Sequence, residues 1–218
     1  MKIQSLILSI ILLSSCGGGG GGGGSGNASG PQTGVRFLHT AIGTSPLSIS
    51  IDGAETGSTA TKFGEASTVN NIGTGAAHSV SIYRKGIPTD SVYNGAITIS
   101  NNEVATILLY GSAGTKSALV SKAYPVISNN EFLIRLVNGD EGESGLAINA
   151  GNKTASATLG TSSSWLSIPA GTNNTFTVTE NGGGAVFSGV VEGAGGHRYT
   201  VVVGGKGGYW LQNFVVEE

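Results

Sequence analysis

Short segments in which hydrophobic and polar residues alternate cover the chain from residue 35 onward. Residues 47–51 alternate strictly between apolar residues and Ser, and residues 176–178 alternate in the same way. Each such segment predicts a β-strand with one buried face and one wet face. Residues 107–109 and 201–203 are continuous apolar runs, which predict inner strands. No window combines a helical apolar period with capping residues, so the pattern predicts an all-β protein.

The chain also aligns with itself, which indicates an internal duplication. Residues 35–39 match residues 134–138, and residues 47–49 fall on 146–148 without a gap. Three later blocks follow in the same order: residues 79–83 on 175–179, 93–97 on 187–191, and 105–111 on 199–205. Each copy is about 85 residues long, far longer than one turn of a solenoid. The duplication therefore predicts two domains, at residues 35–123 and 131–218.

Turn-forming dipeptides separate the predicted strands. Asp52-Gly53, Asn94-Gly95 and Asn138-Gly139 have the composition of tight hairpin turns. With these turns, each copy is predicted to form an antiparallel β-sandwich of about seven strands, in the general style of immunoglobulin-like domains. The two sandwiches are expected to be joined at residues 124–130.

The N-terminal segment has the pattern of an export signal. Lys2 is its only charged residue, and an apolar run from Leu6 to Leu13 follows. This run suits a secretory signal and is too short to span a bilayer. It ends in Leu13-Ser14-Ser15-Cys16, which resembles the bacterial lipobox and contains the only Cys of the chain. The resemblance implies cleavage after residue 15, lipid attachment at Cys16 and N-acylation.

Residues 16–34 are rich in Gly and predict a flexible tether between the lipid and the first domain. Its root-mean-square reach is on the order of 20–25 Å, enough to clear the lipid headgroups. A phosphate-binding loop is disfavoured, because no predicted strand precedes the Gly run and no helix follows it. Gly17 follows Cys16, and in the lipoproteins that this segment resembles, a residue other than Asp here favours sorting to the outer membrane.

Composition narrows the possible partners. The chain has 218 residues, 11 Lys and Arg, 13 Asp and Glu, and a net charge of -2. No stretch has the clustered basic residues that bind nucleic acid. A single Cys permits neither an internal disulfide nor a thiolate zinc site. Without a basic patch, membrane attachment is expected to depend on the acyl chains, of which two or more hold firmly.

Most of residues 35–217 resembles the bacterial family called domain of unknown function 4397. The opening of that family is matched by residues 35–39, 47–53 and 63–64, and its middle and closing strands by 168–172, 176–178 and 199–204. The resemblance implies an exported, often lipid-anchored β domain. It implies no catalytic residue and no cofactor.

Few residues have the spacing of a catalytic or metal site. No two of His39, His78 and His197 lie at ligand spacing. His39 is expected to have a structural hydrogen-bonding role that it shares with its counterpart Asn138, whereas His78 and His197 are expected to be exposed. Ser162-Ser163-Ser164 lacks the strand, turn and helix context of a nucleophile elbow.

Two weak candidates for ligand contact remain, both in the second copy. Asp140, Glu141 and Glu143 place three carboxylates within four residues. Such oxygens suit calcium, but a solvated acidic hairpin is the simpler expectation. Trp165 follows a Ser run, and if exposed it could stack on a sugar or dock on a protein.

These features together predict an outer-membrane lipoprotein of the bacterial envelope that acts as a binding or scaffold module without catalysis. Its predicted partners are the membrane, through the lipid on Cys16, and an envelope protein or glycan. The alternative is a hydrolase or carbohydrate-active accessory protein. The two differ in kind of site, because an enzyme needs a concave pocket with convergent polar groups and a binding module needs an exposed patch.

Overall fold

The computed structural model describes residues 32–43, 46–56, 63–111, 116–123, 125–171, 174–180, 183–205 and 212–217. Every helix or strand assigned within these ranges is a β-strand, which confirms the all-β prediction. No described segment forms a helix with the length and apolar composition needed to cross a membrane. The predicted signal, Cys16 and most of the predicted tether lie outside the described residues.

The described chain contains two successive sets of nine strands. The first set is β1 (Gly34–His39), β2 (Leu47–Ile51), β3 (Ala54–Glu55), β4 (Glu65–Ala66), β5 (Asn70–Asn71), β6 (Ala77–Arg84), β7 (Ser91–Thr98), β8 (Glu103–Tyr110) and β9 (Lys116–Ala123). The second set is β10 (Glu131–Asp140), β11 (Gly145–Ala150), β12 (Lys153–Thr158), β13 (Thr161–Ser162), β14 (Leu166–Pro169), β15 (Asn174–Glu180), β16 (Ala185–Val191), β17 (Arg198–Gly205) and β18 (Gln212–Glu217).

Each set folds into two sheets with the same strand order. In the first set the orders are β4-β1-β8-β9, with β5 also paired to β1, and β3-β2-β6-β7. In the second set they are β13-β10-β17-β18, with β14 also paired to β10, and β12-β11-β15-β16. The topology of the second set therefore repeats that of the first, strand for strand.

One strand pair in each set is parallel, and the other pairs are antiparallel, as predicted. β1 runs parallel to β8 with Val35 opposite Ala105, and β10 runs parallel to β17 with Ile134 opposite Tyr199. The sequence did not predict these two parallel pairs, because alternation of apolar and polar residues is the same in both strand directions. The strand number also exceeds the predicted seven, since β3, β4, β5 and β13 have only two residues each, too few to show alternation.

The two sheets of each set enclose one apolar core, so each set is a β-sandwich. Side chains from both sheets meet in the first core, among them Phe37, Ile107, Ile49 and Ile82. Both sheets likewise contribute to the second core, among others Leu136, Val201, Ile148 and Val178. These positions alternate along their strands, as burial of one face requires.

Only one of the three predicted hairpin turns is a turn. Asp52 and Gly53 both have positive φ, 51° and 82°, as a type I′ turn requires. Asn94-Gly95 lies inside β7 and Asn138-Gly139 inside β10, so these two predictions were wrong. The ring of Tyr93 covers Gly95, where a Cβ would come within 2.9 Å of the Tyr93 hydroxyl. Close approach of a neighbouring group, rather than a turn, is the reason for glycine there.

Candidate functional site

The two sandwiches pack against each other through the outer faces of their parallel-strand sheets. Leu38 and Leu108 of the first sandwich and Val137 and Val202 of the second form a separate, fully buried apolar cluster, called the junction below. Each of these side chains follows or precedes a core-facing neighbour and points to the opposite side of its strand. The junction explains the continuous apolar runs, because both faces of β8 and β17 are buried.

At one end of the junction, a small polar side chain of the first sandwich packs against two glycines of the second, so the two backbones lie close together. Thr40, directly after β1, is buried against Gly139 and Gly204 of the second sandwich. A Cβ on Gly139 would overlap the Thr40 hydroxyl, and a Cβ on Gly204 would overlap the Thr40 Cβ. We call Gly139 and Gly204 the glycine notch. The Thr40 hydroxyl and backbone N–H both donate to the Leu109 carbonyl, at 2.8 Å each, which fixes the side chain in the notch.

Arg36 on β1 and Arg135 on β10 are both buried and occupy equivalent positions in the two sandwiches. The Arg36 Nε donates to the Thr106 hydroxyl at 3.3 Å, and the Arg135 Nε donates to the Thr200 hydroxyl at 2.9 Å. The Arg135 guanidinium also lies over the Trp165 ring, 4.2 Å from its centroid. Trp165 is half-buried, and one face of its ring is engaged by this cation–π contact. The ring is thus held in place on the second sandwich rather than projecting freely.

The acidic segment after Asn138 is a tight turn in which Asp140 is fully buried. The Asp140 carboxylate accepts a hydrogen bond from the Gly142 N–H at 2.8 Å. The Asn138 side chain accepts from the Asp140 N–H and donates to the Glu143 carbonyl, both at 3.0 Å. The expectation of a solvated acidic hairpin was therefore wrong for Asp140, whose carboxylate shapes the turn. Glu141 and Glu143 are half-buried.

Within the described residues, no group of three or more His, Cys, Asp or Glu side chains is arranged to hold a metal ion. The turn is instead shaped by the hydrogen bonds between side chains and backbone.

His39 is fully buried at the end of β1. Its ring meets Phe63 edge-on, with centroids 6.4 Å apart. Burial lowers the pKa of His39 to about 4, against the opposing effects of its own backbone hydrogen bond and the charge of Glu65. His39 is therefore neutral at pH 7.

The other two histidines lie nearer the surface, and both are partly covered rather than exposed. The His78 Nδ1 lies 2.7 Å from an Asp52 carboxylate oxygen, and its Nε2 lies 3.0 Å from the Gly73 carbonyl. The hydrogen bond to Asp52 raises the pKa of His78 and lowers the pKa of Asp52. His197 stacks on Tyr199 with ring centroids 6.4 Å apart.

The Ser run contains a structural serine that has an equivalent in the first sandwich. The hydroxyl of Ser163 accepts from the Leu136 N–H at 3.0 Å, and the hydroxyl of Ser67 accepts from the Phe37 N–H at 2.9 Å. Each hydroxyl also donates to the carbonyl of the next residue. Both serines thus satisfy a strand N–H where the neighbouring edge strand is interrupted.

No protein-family model matches the chain, and no curated protein matches it. Among solved structures, the chain is similar to a provisionally named cell adhesion protein from Bacteroides ovatus ATCC 8483. The two share 6% sequence identity, the alignment covers 86% of this chain and 97% of that chain, and the TM-score is 0.25.

Proposed function

We propose that this chain is a lipid-anchored protein of the bacterial cell envelope that acts as a binding or scaffold module. The observation that carries the proposal is the segment Leu13-Ser14-Ser15-Cys16, which ends a short apolar run, contains the only Cys and precedes a Gly-rich stretch. A lipobox needs this order of residues. A buried free thiol, the other use of a lone Cys, needs a core around it, which a Gly-rich stretch does not provide.

The junction supports a role in presentation or binding. Fully buried apolar side chains join the two sandwiches, and Thr40 is fitted into the glycine notch. Two sandwiches held in this way present their outer surfaces at a fixed relative orientation. Such a body on a tether of residues 16–34 suits a scaffold at a membrane surface. The resemblance to domain of unknown function 4397 is part of this proposal, and that family is one of exported β domains.

The side chains that first suggested chemistry also have structural partners. Asp140 shapes a turn, Ser163 satisfies a strand N–H and Trp165 stacks under Arg135. These contacts explain the residues without a reaction. They favour a binding module over the hydrolase alternative.

Replacing Cys16 tests the anchor. In a two-membrane bacterium, Cys16→Ser should move the protein from the outer-membrane fraction to the soluble fraction and abolish incorporation of a labelled fatty acid. Ser14→Ala is the matched control, because it keeps a small residue in the lipobox and should retain both properties. Retention of the Cys16→Ser protein in the membrane, with no loss of label, would refute the lipid anchor.

A second measurement tests the binding role and the side of the membrane. Added protease should degrade the protein in intact cells if the sandwiches face outward, and only after outer-membrane permeabilisation if they face the periplasm. Crosslinking in intact cells, followed by purification of the wild-type chain, should recover a defined envelope protein or glycan. The soluble Cys16→Ser protein should recover much less of it.

A further inference from the structure

The segment that leads from the first sandwich into the second is held against the second. The Pro125 carbonyl accepts two hydrogen bonds from the Arg198 guanidinium, one from Nε at 3.0 Å and one from Nη2 at 2.6 Å. Farther along, Gly195 lies so close to the backbone of Asn129 that a Cβ on Gly195 would overlap the Asn129 carbonyl. Residues 125–130 are called the strap below.

The strap leads directly into the parallel strand pair of the second sandwich. The Asn130 carbonyl accepts the Ala170 N–H, and the Glu131 carbonyl accepts the Gly196 N–H, both at 2.8 Å. Glu131 begins β10 and Arg198 begins β17, so the turn that bonds the strap also starts the pairing of these two strands. The strap is therefore built into the second sandwich.

The strap and the glycine notch hold the two sandwiches together at opposite ends of β10. The strap precedes Glu131, which begins this strand, whereas Gly139 of the notch lies near its end. At about 3.3 Å per residue, these two positions are roughly 25 Å apart. On the other side of the strap, β9 of the first sandwich ends at Ala123, two residues before Pro125. Two attachments this far apart oppose rotation about either one.

We propose that Arg198 is a positioning residue that keeps the strap closed, and that closure protects the link between the sandwiches from proteolysis. Val126 is 89% exposed, and exposed connecting segments are preferred sites of cleavage. The Pro125 carbonyl is bonded to Arg198, however, and the Ser128 carbonyl accepts the Glu131 N–H at 3.2 Å. Only residues 126 and 127 lie between these two points. A protease needs a longer stretch of extended chain, so the strap must open before it is cut.

An arginine suits this role because its planar guanidinium presents two N–H groups to one carbonyl. Arg198 is only 6% exposed, and a charge-assisted hydrogen bond is strong where water is excluded. A lysine would keep the charge without the fixed pair of donors. On the tethered protein, closure keeps the second sandwich attached to the anchored first, and this consequence alone rests on the proposed lipid anchor.

Limited proteolysis of the full chain tests the role of Arg198. The Cys16→Ser form serves as the parent protein, so that the result does not depend on the lipid anchor. Elastase favours small apolar residues such as Val, and mass spectrometry identifies the fragment that begins at Ile127. Arg198→Ala should release this fragment at least about tenfold faster than the parent, and Arg198→Lys at an intermediate rate. Gly195→Ala should also release it faster, because the added Cβ displaces Asn129.

Arg84→Ala is the matched control, because Arg84 forms its ion pair with Asp90 inside the first sandwich, at 2.7 Å. The control should release the fragment at the parental rate. Equal rates for Arg198→Ala and Arg84→Ala would overturn the proposal. Cleavage throughout the second sandwich of Arg198→Ala would also overturn it, because Arg198 would then stabilise that sandwich as a whole. If Arg198→Ala does not fold, cleavage of both Arg198→Lys and Gly195→Ala at the control rate overturns it instead.

Discussion

Replacing Gly139 by Ala separates the role of the junction from the conformational effect of a glycine. Gly139 lies inside β10, and its φ lies outside the left-handed region that favours glycine. By backbone entropy alone, Ala should stabilise this position by about 0.4–1 kcal/mol. The added methyl group, however, would overlap the Thr40 hydroxyl across the junction. Whether Gly139→Ala raises or lowers the free energy of unfolding therefore depends on its contact with Thr40.

Overpacking of a fully buried site costs about 1–3 kcal/mol. After subtracting the backbone gain, Gly139→Ala should lower the free energy of unfolding by about 1–2 kcal/mol. Thr40→Ala alone should cost about 2 kcal/mol, because it removes a hydrogen bond to the Leu109 carbonyl and a buried methyl group. In the double variant the nearest remaining Thr40 atom, the Cβ, is 3.1 Å from the added carbon. Most of the overlap is then relieved, and the two changes should be coupled by about 1–2 kcal/mol.

Urea denaturation measures this coupling in a double-mutant cycle. Tryptophan fluorescence reports on the second sandwich, which contains Trp165, and far-UV circular dichroism reports on both sandwiches. Gly171→Ala is the matched control, because the nearest atom to its added Cβ, the Asn174 Nδ2, is 3.8 Å away. The control should change stability by less than about 0.5 kcal/mol. The role of the notch is refuted if Gly139→Ala behaves like the control, or if its cost is unchanged in the Thr40→Ala background.

Three further changes test polar groups of the two sandwiches, two of them buried and one nearer the surface. The pKa of His39 is about 4 when folded and 6.5 when unfolded, so its contribution to stability is complete above pH 6.5 and is lost as pH falls toward 4. His39→Asn should remove about 1.4 kcal/mol per pH unit from the decline in unfolding free energy between pH 6.5 and 5; an unchanged slope would contradict burial of a neutral imidazole. Ser163→Ala should cost about 1–3 kcal/mol in urea denaturation, because the Leu136 N–H loses its acceptor; a neutral effect would mean that this N–H finds another acceptor. Asp52→Asn should lower the pKa of His78 in an NMR titration, and an unmoved pKa would show that their contact is absent in solution.

The sequence pattern predicted where the strands lie better than it predicted what packs against them. Alternation at residues 47–51 identified β2, and the continuous apolar runs at 107–109 and 201–203 identified two inner strands. Each run is continuous because one side chain set fills a sandwich core and the other fills the junction. A signal for the junction was therefore present in the sequence. The apolar runs did not indicate that the outer faces of β8 and β17 would be covered by the other sandwich.

The errors at Asn138-Gly139 and Asp140 have different physical origins, one distant in the chain and one local. Gly139 is required by Thr40, about a hundred residues earlier in the chain, rather than by a local turn. The Asp140 carboxylate is buried and accepts the Gly142 N–H, although its neighbours make the segment look like a solvated acidic loop.

The junction also shows how two copies of one fold become mutually specific. In the self-alignment Thr40 corresponds to Gly139 and Tyr110 to Gly204, so larger residues in the first copy correspond to glycines in the second. Thr40 packs against both of these glycines. Two copies of the first sandwich placed in the same arrangement would meet with side chains where the notch should be. The asymmetry therefore favours the pairing within one chain and disfavours pairing of two first sandwiches through this face.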